Sequence, residues 1–197
     1  MKYVISGTNR PGSRTFLVSQ LVQRLYAETG EQVELMDLRS VGLESLPAAP
    51  QYGDVMPEPM RTAVGKINQS DGLIFVVPEY NGSMPGALKY FIDHWTYPDS
   101  YEFRPVSFIG LGTRFGGLRP VEHLQGVFGF RNAFIYPERV FITEVFKNLD
   151  ANGSLLDQRL LDLLKFQIKG FQAFAKALSV AGIDANSRLR ALKQPKQ

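Results

Sequence analysis

Hydroxyl and guanidinium groups are concentrated in the loop that follows the first apolar stretch of the chain. Tyr3-Val4-Ile5 is followed by the loop Ser6 to Thr15, and a helical pattern comes next. The candidate ligand-binding side chains of this first loop are Thr8, Arg10, Ser13, Arg14 and Thr15. Short hydroxyl donors, positive charge and the amides of a helix N-terminus together suit a phosphate group. The pattern predicts a phosphate site, and a polar turn that only caps the helix is the alternative.

Two common phosphate motifs fail at particular residues of this loop. Gly7 and Gly12 have the spacing of a Walker A loop, but Ser13-Arg14 stands where Lys-Ser or Lys-Thr is required. The dinucleotide pattern G-x-G-x-x-G fails because Asn9 stands two residues after Gly7. A terminal phosphate monoester, as in a mononucleotide, suits the many short donors of this loop, and the polar turn that only caps the helix stays the alternative.

A second loop with turn-forming and ligand-binding residues follows the apolar stretch Leu73 to Val77. Its candidate residues are Pro78, Glu79, Tyr80, Asn81 and Gly82. A flavin ring requires backbone amides near N1 and O2, a partner for N3–H, and aromatic or apolar surface. Backbone groups, the Asn81 amide and the Tyr80 ring match these needs, although Pro, Asn and Gly are also ordinary turn residues.

A third, glycine-rich loop follows the next apolar strand. Its candidate cofactor-binding residues are Gly112, Thr113, Arg114, Gly116 and Gly117. Glycine permits close approach of backbone to a ligand. Arg114 is expected to stabilise an anionic reduced flavin or to contact a phosphate of a nicotinamide nucleotide, and an exposed loop arginine is the alternative.

Side chains for acid–base, nucleophilic or metal chemistry are sparse. The two histidines, His94 and His123, fall on separate predicted helices and are expected at the surface or its boundary. The chain has no cysteine, and no G-x-S-x-G elbow or Ser-His-Asp order is present. We therefore assign no catalytic side chain and no metal ligand, and this sparsity fits a bound flavin that carries the reaction itself.

The strands and helices that position these loops are predicted from alternating strand and helix patterns in the sequence. Strands are predicted at 2–6, 32–37, 72–77, 105–111 and 132–136, with a further extended piece at 140–143. Helices are predicted after the first loop, at 58–69, from 85, at 118–128 and at 154–181, and 38–59 is predicted as a long connecting loop. The pattern predicts an α/β, flavodoxin-like three-layer sandwich with a five-stranded parallel sheet of order 2-1-3-4-5. In that order the three loops lie together at one edge.

Composition limits the possible partners. The net charge of +3 arises from residues 183–197, whereas 1–182 are neutral, so the body lacks the basic excess of nucleic-acid binders. We expect one domain at 1–182 and a solvated basic tail at 183–197. No apolar run is long enough to span a bilayer and no signal-peptide pattern begins the chain, so a cytoplasmic protein without a membrane partner is expected.

The first two loops resemble motifs of the NAD(P)H-dependent FMN reductase family, and the resemblance covers about residues 1–180. The family pattern G-S-x-R-x-x-S corresponds to Gly7-Thr8-Asn9-Arg10-Pro11-Gly12-Ser13, with Thr8 keeping the hydroxyl. The pattern P-E-Y-N-x-x-x-P-G-x-L-K-N-x-x-D-W corresponds to Pro78 through Trp95. Here Tyr90 replaces asparagine, and His94 separates Asp93 from Trp95.

The resemblance implies bound FMN, NADPH or NADH as the hydride donor, and a small-molecule acceptor such as a flavin, quinone, azo compound or metal oxyanion. It also implies phosphate contacts from the first loop, ring contacts from the other two, and a homodimer or homotetramer with the site near a subunit interface. Two alternatives are a non-enzymatic electron carrier or flavin-sensing module, and a domain that has lost its ligand. The neutral body gives little support for a carrier, which usually presents an acidic surface.

Overall fold

The sheet has five parallel strands in the order β2-β1-β3-β4-β5, and this confirms the predicted topology. The structure, a computed structural model of the 197-residue chain, describes residues 1–45 and 49–193. The strands are β1 Lys2–Ser6, β2 Val33–Asp37, β3 Gly72–Pro78, β4 Pro105–Leu111 and β5 Phe134–Ile142. Ile5 of β1 pairs with Phe75 of β3, so the loops after these strands are neighbours.

Helices cover both faces of the sheet and make the predicted three-layer sandwich. They are α1 Arg14–Glu28, α2 Glu58–Gln69, α3 Gly86–Asp93, α4 Leu118–Gly129, α5 Val145–Asn148, α6 Gln158–Val180 and α7 Ala185–Lys193. The first core contains Met60, Leu88 and Leu124 from α2, α3 and α4. The second core contains Val22 of α1 and Leu164 of α6. Two apolar layers therefore enclose the sheet.

Strand β3 lies at the centre and is buried along its whole length. Its continuous apolar sequence suits a strand with a helix layer on each side. On the first face, the ring centroid of Phe75 lies 5.0 Å from that of Phe128, 5.7 Å from Phe108 and 6.2 Å from Trp95. Trp95 is 2% exposed.

The fifth strand differs from the prediction of two separate pieces. It is one strand, and the register shifts between Val106, which pairs with Ile135, and Phe108, which pairs with Arg139. The polar residues within it, including Arg139, interrupt the apolar pattern and explain the wrong prediction. The buried Gln167 of α6 supports the irregularity, because its Nε2 donates at 2.9 Å to the carbonyl oxygens of both Phe108 and Glu138.

The last long helix is shorter than the predicted span of 154–181. Asp157 caps it by accepting from the backbone amides of Arg159 and Leu160, so α6 begins at Gln158. Leu156 and Leu163, two apolar residues of the predicted span, are 65% and 45% exposed. The predicted span was too long because it followed the apolar spacing and did not take account of Asp157 as the capping residue.

The expectation of a solvated tail is wrong for its first residues. Helix α7 packs against the body, with the amide of Ala185 donating to the carbonyl oxygen of Phe103 at 3.0 Å. Asn186 donates to the carbonyl oxygens of Gln69 and Ser70. Residues 194–197 of the tail lie outside the described residues. The sequence showed charge here but could not reveal these backbone contacts.

In its described residues, the connection from β2 to α2 contains short 3-10 helices at Leu38–Ser40, Leu43–Ser45 and Gly53–Val55. Leu38, Val41 and Met56 anchor it to the first core. The prediction of a long connecting loop also covers residues 46–48, which lie outside the described residues. Among the helices of 1–45 and 49–193, none is long and apolar enough to cross a membrane.

Candidate functional site

A glycine allows the first loop to lie directly against β3. The amide of Gly7 donates to the carbonyl oxygen of Val76 at 2.9 Å. A Cβ on Gly7 would lie 2.8 Å from the same oxygen, so a side chain would push the loop away from the sheet. Because a glycine stands here, the residues from Thr8 onward begin at the carboxyl edge of β1 and β3.

The first loop ends in the cap of α1. Gly12 has φ of 63°, and the Ser13 hydroxyl then accepts from the amide of Phe16 at 3.2 Å. The remaining amides of the first helical turn have no acceptor within the helix, which makes this end a favourable place for an anion. Arg10 and Arg14 are exposed beside it, whereas Thr15 is buried. The donor set therefore fits a phosphate.

The second loop is a tight two-residue turn. The amide and carbonyl groups of Tyr80 and Ser83 exchange hydrogen bonds of 2.9 and 3.0 Å. Asn81 and Gly82 have φ of 51° and 78°, as a type I′ turn requires. The Tyr80 phenol lies 3.0 Å from the Thr8 hydroxyl, so the second loop is joined to the first. Asn81 is exposed at the tip of the turn.

The glycines of the third loop pack mainly against the chain itself. Gly116 and Gly117 have φ of 59° and 80°. A Cβ on Gly117 would lie 2.6 Å from the amide nitrogen of Leu111, and one on Gly116 would lie 3.0 Å from the Cβ of Phe141. These residues fold the loop back over the end of β4, and leave Thr113 and Arg114 exposed.

The three loops meet around one cleft of about 280 Å³. The predicted residues that line it are Arg10, Ser13, Arg14, Thr15, Pro78, Glu79, Tyr80, Gly112 and Thr113. The predicted residues that do not line it are Thr8, Asn81, Gly82, Arg114, Gly116 and Gly117. Thr8 lies directly behind the wall, because its Oγ1 contacts Tyr80 and accepts from the amide of Arg10.

Sequence reasoning missed part of the cleft wall. Residues that it did not assign are Pro11, Gly12, Leu111, Val145 and Phe146. Val145 and Phe146 belong to α5, which follows β5, and the amide of Val145 donates to the carbonyl oxygen of Gly112. The predicted sheet order places β5 beside β4, and this adjacency was the available signal. Phe146 is 46% exposed and adds an aromatic ring to the rim.

The two histidines have different environments. His94, expected near the surface, is fully buried, and its Nδ1 lies 2.8 Å from the carbonyl oxygen of Tyr90. His123 is exposed, as expected, and its Nδ1 lies 2.8 Å from the Ser83 hydroxyl. Within the described part of the chain, no group of three His, Asp or Glu side chains is arranged to hold a metal ion.

A larger cavity of about 770 Å³ lies away from this cleft, at the ends of α3 and α4. Its walls include Tyr52, Trp95, Tyr97 and Phe130, and they include none of the predicted cofactor-binding residues. The smaller cleft is at the carboxyl edge of the strands, where ligands bind in open α/β sheets. Position and donor chemistry therefore favour the smaller cleft as the functional site.

Known proteins resemble this chain over most of its length. The family model described as NADPH-dependent FMN reductase matches residues 3–147. An NAD(P)H-dependent FMN reductase of Pseudomonas aeruginosa is 30% identical over 178 residues, covering 88% of this chain and 94% of that protein. A quinone reductase of Escherichia coli K12 is 28% identical over 182 residues, with coverages of 88% and 94%. The solved structure of FerB, a flavoenzyme NAD(P)H:(acceptor) oxidoreductase from Paracoccus denitrificans, shares the fold with a TM-score of 0.70, 23% identity, and coverages of 89% and 97%.

Proposed function

The chain belongs to the NADPH-dependent FMN reductase family and is an FMN-dependent NAD(P)H oxidoreductase, and we propose that the cleft between its three loops holds the cofactor. The observation that carries this proposal is that the first-loop donors Arg10, Ser13 and Arg14 line the same cleft as Glu79 and Tyr80 of the second loop. When bound, FMN supplies the redox chemistry, because it accepts a hydride from NAD(P)H and passes electrons to the acceptor.

We propose distinct roles for the two sides of the cleft. Thr8, Arg10, Ser13, Arg14 and Thr15 bind or orient the phosphate. Pro78, Glu79 and Tyr80, with Gly112 and Thr113, line the other side and contact the ring. Asn81 and Gly82 form the turn at its edge, and Gly116 and Gly117 shape the third loop beside it. Arg114, exposed at the rim, is proposed to bind the phosphates of the nicotinamide nucleotide. These roles follow the chemistry of the donors and their positions.

We propose a flavin or a quinone as the acceptor, since the two similar enzymes are named for flavin and quinone reduction. Azo compounds and metal oxyanions are proposed as further electron acceptors at the same rim of the cleft. A homodimer or homotetramer in the cytoplasm is also proposed, and residues 1–182 are proposed as the catalytic domain. The chain's similarity to named reductases offers no support for a non-enzymatic carrier.

The phosphate side of the cleft is tested by comparing FMN with riboflavin, which has the same ring but no phosphate. We expect Arg10→Ala combined with Ser13→Ala to raise the Kd for FMN at least tenfold and to leave the Kd for riboflavin unchanged. Arg61→Ala removes an exposed arginine of α2 and serves as the control. Flavin fluorescence titration measures both constants. An unchanged Kd for FMN in the double variant would remove the phosphate assignment.

A further inference from the structure

Two side chains of α4 contact the second loop on either side of its turn. Arg119 Nη1 lies 2.6 Å from Glu79 Oε1, and His123 Nδ1 lies 2.8 Å from Ser83 Oγ. Arg119 and His123 are four residues apart on one face of α4. Their partners Glu79 and Ser83 are also four residues apart in the second loop, so the spacing on the helix matches the spacing in the loop. We call Arg119 and His123 together the α4 clasp.

The turn between the two contacts is closed by its own backbone hydrogen bonds. Tyr80 and Ser83 are joined by two backbone hydrogen bonds, and the residues at the tip have the positive φ values of a type I′ turn. A turn with both ends paired has few alternative backbone states. Fixing Glu79 and Ser83 from outside therefore fixes the position of the tip, Asn81-Gly82.

The arginine of the α4 clasp is itself held in place. Its guanidinium carbon lies 4.5 Å from the centroid of the Phe115 ring, which belongs to the third loop. Glu79 lines the cleft, and its side chain is only 18% exposed. One arginine thus joins α4, the third loop and the second loop, so the ion pair is not an isolated surface pair.

We propose that Arg119 and His123 are positioning residues that hold the turn of the second loop at the height required by the flavin ring. This inference rests on the proposed cofactor site and adds a determinant of flavin affinity that lies outside the cleft wall. The α4 clasp contacts Glu79 and Ser83 of the second loop and Phe115 of the third, and these are the two loops assigned to the ring. Ring affinity then depends on two residues that do not touch the cofactor.

The experiment measures the Kd for FMN and for riboflavin in His123→Ala, Ser83→Ala and the combined variant. Each single variant is expected to raise the Kd for FMN and the Kd for riboflavin by the same factor, about fivefold, as for one lost hydrogen bond. The combined variant is expected to have the same Kd values as either single variant, because both substitutions remove the same hydrogen bond. His123→Asn, whose side-chain oxygen can accept from Ser83, is expected to restore most of the affinity.

Glu122→Ala is the control, since Glu122 is the exposed neighbour of His123 on α4. Its flavin affinities are expected to match those of the unaltered protein. A loss of affinity for FMN alone, or unchanged affinities with only a lower unfolding midpoint, would overturn the positioning role. An unaltered protein that binds neither flavin would overturn the cofactor site itself, and with it this inference.

Discussion

The phenol oxygen of Tyr80 lies 3.0 Å from the hydroxyl oxygen of Thr8, and this contact joins the ring side of the site to its phosphate side. Thr8 is 1% exposed, and its Oγ1 also accepts from the amide of Arg10. A buried hydroxyl that serves both contacts ties the geometry of the two loops together. The loops are therefore expected to respond jointly when either residue is changed.

The first prediction concerns this contact. Tyr80→Phe removes the phenol oxygen while keeping the ring, and we expect the Kd for FMN to rise about fivefold. Thr8→Val is expected to act similarly, and the double variant should show less than the sum of the two effects. Fluorescence titration of the four proteins measures the coupling. Strictly additive effects would show that the two loops act independently.

The second prediction separates glycines that the fold requires from one that it does not. Gly117→Ala is expected to lower the free energy of unfolding by more than about 2 kcal/mol, because φ is 80° and the new Cβ would meet backbone atoms of β4. Gly126→Ala places its Cβ in open space on α4 and is expected to raise stability by about 0.5 to 1 kcal/mol. Urea unfolding measures both values, and equal effects would contradict the packing argument.

The third prediction concerns the irregular pairing of β4 and β5. Gln167→Leu keeps the side-chain volume but leaves two carbonyl oxygens without their donor, so a loss of about 2 to 3 kcal/mol is expected. Gln172→Leu, on the same helix, removes contacts to Thr29 and Glu31 that water can replace, and is expected to cost less than about 1 kcal/mol. Urea unfolding of both variants checks the ranking.

The fourth prediction concerns alkaline stability. Burial raises the pKa of Tyr26 above its ordinary value of 10.0, and the charge of Glu31 adds to the shift. Below pH 10 the phenol of Tyr26 is neutral in both the folded and the unfolded protein. Above pH 10 it ionises first in the unfolded protein, so the free energy of unfolding falls as pH rises. Between pH 9 and pH 11 we expect the unaltered protein to lose about 1.4 kcal/mol more than Tyr26→Phe.

Other buried groups change over the same pH range. Burial raises the pKa of Tyr101, and so increases the alkaline loss. Burial lowers the pKa of Arg104 to about 10, so the cost of burying its charge is relieved above that pH. Both groups are present in the unaltered protein and in Tyr26→Phe, so their contributions cancel in the difference. Equal losses in the two proteins would contradict a shifted Tyr26.

The fold was predictable where apolar patterning was uninterrupted. The bounds of β4 and α2 match the sequence-based prediction because each pattern ends at a proline, a glycine or a polar residue. The fifth strand was not predictable as one element, because polar residues occupy its irregular centre. His94 was misjudged because a lone histidine gives no periodic signal, and the buried contact to the carbonyl of Tyr90 is visible only in three dimensions.

The site was predictable to the extent that it follows strand ends. Loops after β1, β3 and β4 were found because the carboxyl ends of adjacent parallel strands share one edge. Phe146 was missed because α5 follows β5, which the sequence pattern divided into two pieces. The α4 contacts to Glu79 and Ser83 were missed for a different reason, since side-chain pairs between distant segments leave no local pattern.

The position of Trp95 has a consequence for how melting of this protein is observed. It is the one tryptophan of the sequence, and it lies in the layer formed with α2, α3 and α4. Its emission reports loss of order in that layer alone, whereas circular dichroism averages over the whole molecule. Superimposable curves from the two signals would identify a single cooperative transition, and an earlier emission change would reveal that one side of the sandwich loosens first.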